Sequence, residues 1–291
     1  MALTVDGEVD LVRAMVDLLG GIVDRVILVE GRTTFHGDPR DVVGDRWSDL
    51  VAVPDGVLRS IVIELPTRDA GSVSLRRREM LQRSAIALGV RDMAACDIVL
   101  AVDSDEFVDP AWVVAVEAEI EGPQRLPLVP MYGGLDRRAP DWHCCREHLS
   151  LTPGIWPTPS TDFLFPGGVI GPVADLAGRG AHEWRATAAM ARRAAGWHLL
   201  HVLPADSDPA GKHSRQAHEW DARVDTGHMR RAIEAGVHPY GWWSAIPMSV
   251  PHQLDFLAER HREVVIGPLP DDAFRESLMA RWWLDFRGRE T

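Results

Sequence analysis

The sequence has little cysteine and no long apolar run. Three cysteines among 291 residues are too few for a disulfide framework, which favours a reducing compartment. No apolar run approaches the roughly 18 to 20 residues that span a bilayer, and the acidic start MALTVDGEVD is unlike a signal peptide. These absences predict a soluble, cytoplasmic protein without a membrane span.

An excess of positive charge is also missing. The formal net charge is −12, whereas proteins that bind nucleic acids or membrane surfaces usually carry positive charge that meets phosphates. A nucleic-acid partner is therefore not expected. Because 46% of the residues are apolar, the chain can bury a full core, and its length suits one large domain or two packed ones. The oligomeric state is not indicated.

The sequence does contain alternating strand and helix patterns. The strand-like runs are VDRVILVEG (23–31), RSIVIELP (59–66), DIVLAVDSDE (97–106) and RLPLVPMYGG (125–134). Helical spacing begins at residue 8 and recurs over 74–89 and 109–122. This order predicts an α/β fold, with a Rossmann-like, mostly parallel sheet flanked by helices. Such a sheet binds ligands at the carboxyl ends of its strands.

The later part of the chain has a different pattern. Residues 133 to 175 are rich in Pro, Gly and Trp without a clean period, which predicts long loops over a site where an acceptor would bind. Helical spacing returns at 183–196 and 217–236. We predict a main domain over residues 1–249, with residues 250–291 as a C-terminal tail that packs on it.

The strand-like run IVLAV ends in three acids, Asp103, Asp105 and Glu106. If strand alternation continues that far, Asp103 and Asp105 point to one side and Glu106 to the other. Two carboxylates on one face can hold Mg²⁺ or Mn²⁺ and leave room for the phosphates of a substrate. The alternative is that these acids cap the next helix or lie in a solvated loop.

Three blocks of the sequence, in this order, resemble the family 17 glycosyltransferases, the β-1,4-mannosyl-glycoprotein 4-β-N-acetylglucosaminyltransferase family. They are VDRVILVEGRTTFHGDPR (23–40), the stretch from LQRSAIALGV to DIVLAVDSDEFVDP (81–110), and the stretch from AGWHLLHVLP to GKHSRQAHEW (195–220). The resemblance implies a GT-A type fold in a soluble, bacterial-type relative. It also implies inverting transfer of a hexosyl or N-acetylhexosaminyl group from a nucleotide-sugar, UDP-linked, to a hydroxyl of a carbohydrate or small molecule.

The resemblance also implies roles for residues that match its motifs. Asp103 and Asp105 match the family's DXD acids, so we expect Asp105 to bind Mn²⁺ or Mg²⁺ and Asp103 to contact the metal or the donor's ribose. Neutral His198 would be a third metal ligand, unless it is an ordinary hydrogen-bonded core histidine. The expected donor contacts are Glu30, Arg83, Asp103, Trp197 and the chain's single lysine, Lys212. For Arg83, a solvated helix charge is the alternative.

Inverting transfer needs a base for the acceptor's hydroxyl proton, usually Asp or Glu. Glu183, Glu219 and Asp225 are candidates, and the sequence does not choose among them.

Two other functions are alternatives to a glycosyltransferase. A sugar nucleotidyltransferase usually has a Gly-rich basic loop, which VEGRTTFHG is not. A non-catalytic carbohydrate-binding protein would not need the intact acid triplet.

Overall fold

The computed structural model describes residues 1–67, 74–140, 163–200, 202, 226–238, 245–260, 269–271, 273–275 and 277. The chain divides into two compact units. Unit 1 includes Met1–Leu128 and Phe165–His198, and unit 2 includes the described residues of Val129–Leu164 and those beyond residue 220. The domain boundary at residue 249 stays a prediction. Within the described ranges, every helix is too short or too polar to cross a bilayer.

Unit 1 alternates strands and helices along the chain. Its strands are β1 (Ala2–Val5), β2 (Val26–Gly31), β3 (Leu58–Ile63), β4 (Ile98–Asp103), β5 (Glu106–Val108), the first part of β6 (Gln124–Tyr132), β8 (Phe165–Pro172), β9 (Ala189–Met190) and the start of β10 (Gly196–Leu200). Its helices are α1 (Val9–Leu19), α2 (Trp47–Leu50), α3 (Leu75–Ser84), α4 (Ile86–Val90), α5 (Pro110–Glu117) and α6 (Val173–Thr187). The sequence therefore predicts most of these elements to within a few residues.

The sheet of unit 1 has the strand order β6-β8-β4-β1-β2-β3. Strands β4, β1, β2 and β3 run parallel, and β8 is antiparallel to both β4 and β6. Because β1 lies between β2 and β4, the strand order reverses at β1, which makes the β1/β4 crevice a topological switch point. The predicted α/β fold with a mostly parallel sheet flanked by helices is confirmed.

Several strands differ from the sequence prediction, among them β9, which lies inside the helix predicted over 183–196. The start of the chain, ALTV, forms the central strand β1 and is buried at all four positions, although we did not predict a strand there. Four residues are too few to show a period. Phe165–Pro172, inside the predicted loop region, forms β8. Its glycines resemble a loop in sequence, but a Cβ on Gly168 would lie 2.4 Å from the Ala101 carbonyl oxygen, so glycine permits close strand pairing.

The hydrophobic core of unit 1 lies between one face of the sheet and helices α3, α4 and α6. Every second residue of the central strands faces it, including Ala2 in β1, Ile27 in β2 and both Val99 and Ala101 in β4. Ile86 and Trp184 of the helices complete this layer. Since side chains alternate along a strand, Asp103 at the end of β4 lies on the same face as Ala101. That face brings Asp103 beneath α3 and α6.

Helix α6 begins ten residues before the helical pattern predicted at 183–196 and ends at Thr187. It bends at Gly180, which has φ +75°, a left-handed conformation that glycine adopts without steric cost. The turns after this bend contain Trp184 and Arg185, both buried. The bend therefore fixes the direction in which α6 crosses the end of β4.

Unit 2 contains β7 (Arg137–Arg138), α7 (Thr226–Glu234), β11 (Ile246–Pro247) and α8 (Asp255–Arg260). The buried Arg137 guanidinium donates to the carbonyl oxygens of Ile233 (3.2 Å) and Glu234 (3.0 Å), at the end of α7. A cation stabilises a helix there, because the last carbonyls lack helical partners. The helix predicted over 217–236 is present from residue 226, and its earlier part lies outside the described residues.

Candidate functional site

The candidate site lies at the carboxyl ends of β1 and β4, both in unit 1. Thr4 and Asp103 are paired in these strands, and the Thr4 hydroxyl donates to Oδ1 of Asp103 at 2.5 Å. Just beyond β1, Oε2 of Glu8 accepts hydrogen bonds from the Ser104 hydroxyl (3.1 Å) and the Asp6 backbone N–H (2.9 Å). The acids predicted at this edge therefore flank the switch point at which such folds bind ligands.

Two arginines from different helices hold Asp103. From α3, Arg83 donates Nε to Oδ1 (3.2 Å) and Nη2 to Oδ2 (2.5 Å). From α6, Arg185 donates Nη1 to Oδ2 (2.8 Å). Together with the Thr4 hydroxyl, these bonds use about all four lone-pair positions of a carboxylate. The Asp103 carboxylate is therefore saturated with donors.

Glu106, the first residue of β5, is fully buried and binds the same arginine. Arg185 donates Nη2 to Oε1 (2.5 Å) and Nη1 to Oε2 (3.3 Å), and the Asp103 backbone N–H donates to Oε2 (2.8 Å). Arg185 thus joins the end of β4 to the start of β5. We call Asp103, Glu106, Arg83 and Arg185 the ion cluster.

The two carboxyls of the ion cluster have pKa shifts in opposite directions. Burial opposes the charge of Asp103, but Arg185 and Arg83 outweigh it and lower the pKa of Asp103 below its usual range. For Glu106, burial raises the pKa, and the negative charge of Asp103 adds to the increase against the opposing effect of Arg185. At neutral pH the cluster therefore contains a firmly ionised Asp103 that is neutralised by arginine.

Strand alternation does not continue through the acid triplet, because residues 104 and 105 form a turn between β4 and β5. Asp103 and Glu106 consequently converge on Arg185, although alternation would place them on opposite sides. Asp105 lies near His198, with Oδ1 3.7 Å from Nε2, and its negative charge also acts on Asp103. The predicted pairing of Asp103 with Asp105 stays a prediction.

The GWH motif forms the start of β10, which runs antiparallel to β5. A Cβ on Gly196 would lie 2.0 Å from the Phe107 carbonyl oxygen, so only glycine permits this close approach. Trp197 is 8% exposed and belongs to the core. His198 stacks on Phe165 at 4.0 Å between ring centroids, and its buried Nδ1 has no hydrogen-bond partner in the described part of the chain. The metal-ligand role of His198 and its alternative as a core histidine both stay predictions.

The fit of a divalent cation depends on the chemistry of the donors at this edge. Asp105 and His198 place a carboxylate oxygen and an imidazole nitrogen 3.7 Å apart, and a cation on Asp103 would have to replace an arginine or Thr4. Over the described ranges, no group of three or more His, Cys, Asp or Glu side chains is arranged to hold a metal ion. The donors fit an ion that takes its other ligands from water and substrate oxygens. The metal site stays a prediction.

Glu30 ends β2 at the same sheet edge, but its carboxylate is enclosed by its own loop. Oε1 accepts from the Val43 N–H (3.1 Å), and Oε2 accepts from the Gly44 N–H (3.0 Å) and Trp47 Nε1 (3.3 Å). The side chain is fully buried. These contacts stabilise the turn before α2, and the predicted donor contact of Glu30 stays a prediction.

The other predicted residues are placed as follows. Arg83 binds within the ion cluster and to Glu79 (2.7 Å), so it is not a solvated helix charge. Glu183 is exposed on α6, two positions before Arg185. The remaining three, Lys212, Glu219 and Asp225, lie outside the described residues. Their assigned roles stay predictions.

Sequence reasoning missed Arg185, Thr4 and Glu8. Arg185 contacts Asp103 and Glu106 across 82 and 79 positions of chain, so no local spacing identifies it. Thr4 and Glu8 could have been found from the start of the chain, since an acid just after an apolar run is the same signal as at Asp103. The short length of β1 concealed that signal.

Comparisons with known proteins do not identify a family. No protein-family model matches the chain, and no curated protein matches it. Among solved structures, a match is residues 1–349 of TarS from S. aureus, with 13% sequence identity over 99% of this chain and 90% of that chain. Its TM-score of 0.31 is too low to carry an argument about fold or function. The proposal below therefore rests on the site itself and on the sequence motifs.

Proposed function

We propose that this chain is a metal-dependent, inverting glycosyltransferase. It would transfer a hexosyl or N-acetylhexosaminyl group from a UDP-linked sugar to a hydroxyl of a carbohydrate or small molecule. The observation that carries the proposal is the Asp105–His198 pair, 3.7 Å apart, which follows the carboxyl end of β4 beside the switch point of a Rossmann-like sheet. That location favours nucleotide binding, and the pair supplies donors suited to a divalent ion. The resemblance to family 17 supplies the reaction class and the GT-A assignment.

In this proposal Asp105 and His198 hold Mn²⁺ or Mg²⁺, which when bound stabilises the negative charge that develops on the leaving diphosphate. Asp103 has a different role from the one first expected. Because Arg83, Arg185 and Thr4 saturate its carboxylate, it fixes the 104–105 turn and so positions Asp105. Contact of Asp103 with the donor's ribose would require one of these bonds to open.

Proton removal from the acceptor hydroxyl needs a carboxylate within hydrogen-bond reach. Glu183, Glu219 and Asp225 remain the candidates from the sequence. Glu8 joins them, because it lies at the switch point and both of its hydrogen bonds use Oε2. Lys212, as a flexible ammonium, and the indole of Trp197 remain proposed donor contacts.

The proposal is tested by thermal unfolding with UDP, with and without Mn²⁺, together with assays for free sugar released from UDP-sugars. A ligand at 100 times its dissociation constant stabilises the folded state by about 2.7 kcal/mol. Asp105→Asn should remove the manganese-dependent part of that stabilisation and reduce sugar release by about 10²- to 10³-fold. Asp49→Asn, at an exposed position of α2, is the matched control.

Three results would contradict the proposal in different ways. A fully active, metal-independent Asp105→Asn enzyme would remove the metal assignment. Conversion of a UDP-sugar and pyrophosphate into UTP and sugar 1-phosphate, without release of free sugar, would identify a nucleotidyltransferase instead. Absence of any metal-dependent shift with any nucleotide would favour a non-catalytic carbohydrate-binding protein.

A further inference from the structure

A third arginine, Arg125, lies on the same face of the sheet as the ion cluster. Arg125 in β6 pairs with Val169 in β8, and Val169 pairs with Ala101 in β4. Directly paired residues share a face, and Asp103 is two positions beyond Ala101 on that face. The Arg125 Nη2 donates to the Pro166 carbonyl oxygen at 3.1 Å, so the guanidinium extends toward the strand end where Asp103 lies.

Arg125 differs from the cluster arginines in its partners. Arg83 and Arg185 each bind two carboxylates, whereas among the described residues Arg125 forms no ion pair. Its Nε is buried and has no hydrogen-bond acceptor there. Burial, together with the positive charges of Arg185 and Arg83, lowers the pKa of Arg125 against the opposing effect of Glu106. On balance, the surroundings of the guanidinium disfavour its charge.

The nearby acids are bound by donors other than Arg125. Glu106 is bound by both Nη atoms of Arg185, and Asp103 already accepts four hydrogen bonds. A buried donor without a partner calls for an explanation, such as an unseen water or ion. Arg125 is partly exposed, so a ligand from solvent can reach its outer N–H groups.

We propose that Arg125 binds a phosphate group at this edge of the sheet. The planar guanidinium donates two parallel N–H bonds that match the spacing of phosphate oxygens. Because Nη2 gives one N–H to Pro166, its second N–H and the neighbouring N–H of Nη1 can form such a pair. Phosphate binding by Arg125 stands without the proposed function. Identification of that phosphate with the donor's diphosphate rests on the proposed function.

Binding is measured by calorimetry with inorganic pyrophosphate as the probe, in EDTA so that no metal contributes. We expect Arg125→Gln to weaken pyrophosphate binding by about 10- to 100-fold, because a charge-assisted bond is lost. Added salt should weaken binding to the wild type. Arg91→Gln, at an exposed position outside the sheet, should bind as the wild type does.

Unchanged pyrophosphate affinity in Arg125→Gln, or no binding to the wild type, would overturn the proposal. If Arg125→Gln does not fold, as judged by circular dichroism, Arg125→Lys replaces it. That variant keeps the charge and loses the paired donors, so we expect a several-fold weaker affinity. An affinity equal to that of the wild type would then count against phosphate recognition by the guanidinium.

UDP and uridine, titrated separately in EDTA, distinguish the two sources of the phosphate. If Arg125 holds the donor's diphosphate, Arg125→Gln weakens UDP and leaves uridine unchanged. If Arg125 holds the phosphate of another substrate, Arg125→Gln weakens the binding of pyrophosphate and leaves the binding of UDP unchanged. Failure of the glycosyltransferase proposal would be seen separately, as absence of manganese-dependent sugar release from an enzyme that still binds pyrophosphate through Arg125.

Discussion

Glu30 and Asp103 end two strands of the same sheet, at the same edge, and yet their carboxylates are used differently. Among the described residues, Glu30 accepts hydrogen bonds from its own loop, from Val43, Gly44 and Trp47, which lie 13 to 17 residues away. Asp103 accepts from residues 20, 82 and 99 positions away. One acid therefore closes a local turn, whereas the other joins two strands and two helices.

The donors also differ in charge. The hydrogen bonds to Glu30 come from neutral N–H groups, and the Arg40 guanidinium lies farther away, 3.9 Å from Oε1. Asp103 is hydrogen-bonded directly by two guanidinium groups. Removing a neutral donor leaves an unsatisfied polar group, but removing one charge from a buried ion pair leaves the other charge uncompensated. The cluster at Asp103 should therefore be much more sensitive to substitution than the turn at Glu30.

The largest loss of folding stability is expected for Arg185→Met. This change leaves Glu106 buried without its cation and removes one of the two arginines on Asp103. We expect the free energy of unfolding to fall by about 3–5 kcal/mol, measured by urea denaturation. Arg192→Met, at an exposed position, is the control and should change stability by less than about 0.5 kcal/mol. Equal losses in the two variants would refute the role of Arg185 as the bridge.

A smaller loss, about 2–3 kcal/mol at neutral pH, is expected for Asp103→Asn, since its side chain is 22% exposed and partly solvated. The pH dependence of this loss of stability distinguishes the removal of a charge from a simple packing defect. Because the pKa of Asp103 is lowered on folding, its charge stabilises the folded state above the unfolded pKa of about 4, and that contribution is lost as pH falls.

The stability difference between wild type and Asp103→Asn should therefore narrow from pH 6 toward pH 3. Denaturation curves at a series of pH values measure it. A difference that stays constant, or widens, over this range would show that the Asp103 charge does not stabilise the fold. The arginines would then have to be neutralised by other groups.

The smallest loss of stability is expected for Glu30→Gln, which should lower the free energy of unfolding by about 1–2 kcal/mol. An amide has one acceptor oxygen, so its NH₂ group would face either the Val43 N–H or the pair of donors from Gly44 and Trp47. Denaturation experiments compare this loss with that of Arg185→Met. A loss as large as that of the arginine variant would remove the distinction drawn between the local and the long-range acid.

The same distinction explains which parts of the molecule could be predicted. Helix α1, strands β2 to β4 and the location of the acids at the sheet edge follow from periodicity within windows of ten or so residues. The turn after Asp103 could not be predicted, because strand alternation gives no sign of where a strand stops. The strand β8 was missed because its glycines, which permit close pairing with β4, are typical of loops in a sequence.

Local sequence by itself determined the element types, the apolar face of each strand and the presence of acids where β2 and β4 end. Only the tertiary structure decided which cations those acids meet. Arg83 and Arg185 meet Asp103 because packing lays α3 and α6 across one face of the sheet. Arg125 reaches that face from β6 without an ion pair to any described acid. Chain periodicity specifies the direction of a side chain, whereas its partners depend on long-range packing that no short window encodes.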